Sequence, residues 1–167
     1  MSKRGPEVFD STLQKTQTWL NELMHLLHWD DQQKAYLALR GTLHALRDRL
    51  PLEIVVKFGA QLPMLIRGFY YEGWKPTDSP LKMKSIQEFL DFVATHFHET
   101  SLNQKTDIER VVRAVFQLIA NHIAPGEIHH IRQVLPVHLA NLWPSIEYSQ
   151  EQEAIRLSAK DSARHPI

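Results

Sequence analysis

From Ser11 the apolar residues Leu13, Leu20, Leu23 and Leu27 recur near helical spacing. Ser11 with Gln14 has the pattern of a capping box, which satisfies two free amides, so a helix A ending near Leu27 is predicted. Trp29-Asp30-Asp31 interrupts the pattern and offers new caps. Ala35, Leu39, Leu43, Leu46 and Leu50 then step by four, four, three and four residues, the continuous apolar stripe of a helix B. Pro51 disfavours a helical Leu50, so helix B stops there and Pro51 can open helix C. Helix C carries Val55, Phe58, Leu62, Ile66 and Phe69, but Pro63 inside it removes an amide and crowds the preceding turn. A break or kink is expected between Ala60 and Leu62. The stretch from Glu72 to Leu81 holds Gly73, Pro76 and Pro80 and reads as a loop.

A second series of helix signals follows that loop. Ser85 with Glu88 is another capping box, opening a helix with Phe89, Phe92, Val93 and Phe97; Thr106 with Glu109 is a third, opening one with Ile108, Val112, Phe116, Ile119 and Ile123. Pro125-Gly126 punctuates, and Ile128, Ile131, Leu135, Leu139 and Leu142 complete a last helix with Pro136 inside it.

Adding 73 to the numbers of Ala35, Leu39, Leu43, Leu46 and Leu50 gives Ile108, Val112, Phe116, Ile119 and Ile123 without a gap. The same offset carries Leu62-Pro63 onto Leu135-Pro136, and Trp19-Leu20 onto Phe92-Val93. An ungapped match that also aligns an interior proline points to duplication. The expected fold is therefore all-α: a compact helical bundle of two tandem three-helix repeats, 9–74 and 82–144, related by an approximate twofold, with the third helix of each broken or kinked at Pro63 or Pro136. Residues 1–8, with Gly5, Pro6 and the charged Lys3, Arg4 and Glu7, are expected to be a flexible tail. After Trp143-Pro144 the apolar residues thin, so 145–167 is expected to be partly helical and then frayed.

Composition changes this picture mainly by exclusion. The 19 basic and 19 acidic side chains cancel, which removes the basic excess that drives phosphate-backbone binding, and no nucleic-acid partner is expected. Each third helix is apolar and proline-broken, unlike a recognition helix. The absence of cysteine excludes disulfides, thiolate metal sites and a cysteine nucleophile. No apolar run approaches the ~18 to 20 residues that span a bilayer, so no membrane association and a cytoplasmic location are expected. Residues through 84 carry 12 basic and 9 acidic side chains against 7 and 10 beyond, a polarity that favours head-to-tail self-association.

Several runs of the chain have a shared likeness. They are Phe9-Asp-Ser-Thr-Leu-Gln-Lys-Thr, Leu43-His-Ala-Leu-Arg-Asp-Arg-Leu-Pro, Gly59-Ala-Gln-Leu-Pro-Met-Leu-Ile-Arg-Gly-Phe-Tyr-Tyr-Glu-Gly-Trp, and Pro125-Gly-Glu-Ile with Leu142-Trp-Pro. In these, residues 9 to 144 resemble the bacterial domain-of-unknown-function family numbered 2267. The resemblance implies an all-helical bacterial protein with no established activity, and it supplies no catalytic residues to carry over.

Candidate chemistry is sparse. His25 and His28 near the end of helix A, His129 and His130 beside Glu127, and His96 and His98 do not form the three or four convergent ligands a metal needs, so no metal and no cofactor are expected. His44 and Asp48, one turn apart with Arg47 and Arg49, read as a surface ion pair rather than a catalytic group. With no glycine-rich phosphate loop either, the chain is not expected to be an enzyme. Tyr70, Tyr71 and Trp74 form the densest aromatic cluster and are the candidate interaction patch. Consecutive tyrosines point about 100° apart on a helix, so one faces inward, while Trp74 either covers the helix end or meets a partner. The expectation is a noncatalytic helical interaction or regulatory accessory module, binding a protein partner or a second copy. The alternative is a protein binding a small molecule or haem in a pocket between the two repeats.

Overall fold

Glu7 and Asp10 place two carboxylates in the first turn of the first helix, where they favour the positive end of its dipole, and α1 runs Glu7–Leu27. It therefore starts four residues before Ser11, which lies exposed inside the helix, and takes in the last two residues of the expected tail. Its end is a left-handed turn at His28 (φ 56°), with the Trp29 amide donating to the Met24 carbonyl at 2.9 Å. The computed structural model describes residues 5–78, 80–83, 85–97 and 107–145.

Asp31 caps α2, Gln32–Arg49, by accepting from the Lys34 amide at 3.1 Å, and the helix ends as Leu50 turns extended before Pro51. The stripe Ala35, Leu39, Leu43 and Leu46 is wholly buried, but so are Ala38, Thr42, Ala45, His44 and Arg47 around the rest of the helix. The reason is position: α2 is the central helix, touching α1 and three further helices, named below.

The expected third helix is two. The first, α3, spans Leu52–Gln61; Leu62 is extended, and Pro63 leads into α4, Met64–Tyr71. A single 3₁₀ turn, Pro76–Asp78, follows. Ser85 caps α5, Ile86–Ala94, by accepting from the Glu88 amide at 3.2 Å, as its capping pattern predicts. The cap of α6, Ile108–His122, is Asp107, accepting from the Arg110 amide; Thr106 lies outside the described residues. Pro125 opens α7, Pro125–Val134, and extended Leu135 separates it from α8, Val137–Ala140, a single turn.

All regular structure among the described residues is helical. The helix α1 lies on α2 and α6; α2 also packs on α4, α5 and α6; and α3 meets α4 and α7. One core results, in which Leu23, Leu39, Leu43 and Leu46 from the first half meet Val112, Phe116 and Ile119 from the second. Trp143 closes it by stacking on Phe116, ring centres 4.0 Å apart. No helix among the described residues is long and apolar enough to cross a membrane.

Candidate interaction surface

The three aromatic residues of the predicted patch follow one another at the end of α4, and their neighbours determine how far each can reach a partner. Tyr70 is fully buried, its ring edge-on to Phe58 and its hydroxyl donating to the Val55 carbonyl at 2.9 Å. Burial raises its phenol well above the usual range. Tyr70 thus belongs to the core, because its direction on α4 points at α3. Tyr71 is half-buried, with ring centres 4.8 Å from Tyr70 and 5.6 Å from Trp74, and fills the space over Gly59. Trp74 is also half-buried and rests against the core.

Arg47 fixes the backbone that presents this ladder. One of its terminal nitrogens donates to the carbonyls of Tyr70 at 2.8 Å and Glu72 at 2.9 Å, while its Nε pairs with Asp48. Arg47 is 4% exposed, and His44 is 5% exposed with its Nε2 against the Phe69 carbonyl. The expected surface ion pair of His44 and Asp48 is therefore replaced by two buried side chains of α2 that hold the end of α4. Burial is the largest cause pushing His44 down to about 4, with Arg47, Arg40 and His96 acting the same way.

A different surface is open. A groove of about 510 Å³ runs between α1, the start of α2 and α4, with Leu20, Tyr36 and Phe69 along it and Leu13 and Leu65 on its rim. Leu13 is 50% exposed and Leu65 41%. Phe9, one turn before Leu13, is exposed as well, so α1 carries apolar side chains beyond the part that its neighbours cover. The two walls are joined where the Leu65 amide, one of the free donors at the start of α4, donates to the Thr12 hydroxyl at 2.9 Å.

Gly68 lies in the groove in mid-helix, and a β-carbon added there would have nothing within 4 Å. No steric demand explains it, and a helical glycine costs roughly 1 kcal/mol against alanine. The apolar pattern takes in Leu13, Leu20 and Phe69 as core positions and marks none of them as part of an open surface. Leu13 shares its helical phase with the buried Leu20, so periodicity alone counts it as core; the available signal was a glycine inside a helical run beside it in the fold.

A second cleft, of about 430 Å³, lies on the other side of α1, lined by Ser11, Lys15, Thr18, Trp19, Gln61 and His122 among others. His122 stacks on Trp19 with ring centres 4.6 Å apart and bonds to Glu22. His25, His28, His129 and His130 are exposed, and His98 lies outside the described residues. Among the described residues no three His, Asp or Glu side chains gather as metal ligands.

Residues 16–142 match the family described as Uncharacterized conserved protein (DUF2267). No curated protein matches the chain.

Proposed function

The chain belongs to the DUF2267 family of uncharacterized conserved proteins, and we propose that it is a noncatalytic interaction module that receives an amphipathic helix of a protein partner in the α1–α4 groove. The observation that carries this reading is Gly68. An uncrowded glycine in mid-helix gives up local stability, and what it offers in return is bare backbone at the floor of an apolar groove. Helix-in-groove recognition uses apolar anchors one turn apart against such a floor. Tyr71 and Trp74 are not among the groove's lining residues; they pack ring against ring at the end of α4, where Tyr70 supports Tyr71 from inside. Balanced charge and a chain without cysteine suit a cytoplasmic accessory role without nucleic acid.

Duplication underlies the scaffold in this reading. The bounds 52–61 of α3 and 125–134 of α7 are 73 apart at both ends, as are the last residues of α2 and α6, Arg49 and His122. Leu62-Pro63 and Leu135-Pro136 have the same extended backbone. In support, α1 packs on α6 and α5 on α2, while α2 with α6 and α3 with α7 would be self-related pairs.

The cleft beside His122 favours a second reading, a small polar ligand held between the first half and α6. One experiment separates the two. Native mass spectra of the protein isolated from its own cells, as wild type and as Gly68→Phe, should show a second polypeptide on the wild type that is lost from the folded variant. A small molecule of defined mass retained by both would support the cleft instead.

A further inference from the structure

His44 and His96 meet where α2 crosses the end of α5, and the crossing is tight. A β-carbon at Gly41 would stand 3.0 Å from that of His96 and 3.3 Å from the Val93 carbonyl. Nε2 of His44 lies 2.5 Å from the Phe69 carbonyl oxygen, and Nδ1 of His96 lies 3.3 Å from that of Phe92. The inner nitrogens, Nδ1 of His44 and Nε2 of His96, are 3.3 Å apart.

A carbonyl only accepts, so each outer nitrogen is called on to donate, and the inner pair needs one proton between its lone pairs. Three contacts therefore want three protons, whereas two neutral imidazoles carry two. A third proton completes the set. A fourth sets N–H against N–H, two hydrogens aimed at each other across the 3.3 Å between the inner nitrogens, a repulsion that only separation of the rings relieves.

Charge around the pair is uneven. Arg40 and Arg47 of α2 face it, Asp48 is paired with Arg47, and Glu72 beyond α4 is paired with Arg40; the turn after α5 brings His96 alone among the described residues. Two guanidiniums also make these nitrogens a poor cation site, and among the described residues no third ligand stands by.

We propose that His44 and His96 form a proton-counting latch between α2 and α5, shut while the two rings share two or three protons and opened by the fourth. Burial and the neighbouring arginines hold both imidazoles below the ordinary histidine range, so opening belongs to acid rather than neutral conditions.

The test is NMR of the ring nitrogens in the full ¹⁵N-labelled chain, with amide exchange of α5 and α3 followed from about pH 7.5 to about pH 3, below the value of about 4 to which burial pushes His44, and referenced to the unfolded chain. Near pH 7.5 His44 should be the Nε2–H tautomer. On acidification α5 should lose protection about tenfold more than α3, and His96→Gln should cut that selective loss to less than about threefold. His44 found with its proton on Nδ1 near neutrality, α5 and α3 opening in step, or an undiminished selective loss in the folded variant would each overturn the latch. Should His96→Gln not fold, the two wild-type readouts decide.

Discussion

Arg67 reaches back across the break at Leu62-Pro63 and donates from Nε to the Gly59 carbonyl at 2.9 Å. That oxygen is the one an amide at position 63 would serve in an unbroken helix, and proline has none to offer. A second guanidinium nitrogen donates to the Leu62 carbonyl at 2.9 Å and to that of Ala60 at 3.3 Å. One side chain thus serves the Gly59, Ala60 and Leu62 carbonyls at the break. Arg67→Met, which keeps the stem and removes the donors, should lower stability by about 1 to 2 kcal/mol in urea denaturation. An unchanged midpoint would mean that water serves these carbonyls equally well.

Gly59 has a second tie, to Tyr71. A β-carbon there would fall 2.1 Å from the Tyr71 hydroxyl and 2.6 Å from the ring carbon that bears it. Gly59→Ala should therefore destabilise by about 1 to 3 kcal/mol despite its better helix propensity. Adding Tyr71→Leu should recover part of that loss, so the double variant should be more stable than the two single losses summed. Strict additivity would show that the ring moves aside without cost.

Leu43 and Phe116 are both fully buried, in α2 and α6, and the proposed duplication makes them counterparts. Leu43→Ala and Phe116→Ala should each cost about 2 to 5 kcal/mol, measured by thermal or chemical unfolding. A near-neutral result at either position would break the correspondence there.

Much of the helical layout is legible along the chain because it depends on neighbours in sequence. Asp31 and Ser85 cap the helices they precede, Leu50 stops before Pro51, and Pro63 divides its helix where ring and carbonyl collide. At the start of α1, acidic residues in the first turn outweigh the Ser11 capping pattern, so a local rule is right in kind and displaced in position. Burial of His44 and Arg47 was not legible, because it follows from α2 being surrounded on most sides, which no period of the sequence encodes. The groove was hidden for the converse reason. Leu13 is in phase with the core stripe, yet it lies past the end of what covers that stripe, and only the packed structure places Leu65 and Gly68 opposite it.

The groove as a docking site is tested most directly by site-specific photo-crosslinking in the protein's own cells. A photoreactive phenylalanine would replace Leu65 on the groove rim or, as a control, Val137, which is 76% exposed on α8. Position 65 should yield one discrete protein adduct that disappears when Gly68→Phe fills the groove, and position 137 should yield none. Equal labelling from both positions, or an adduct at 65 that survives Gly68→Phe, would contradict the account.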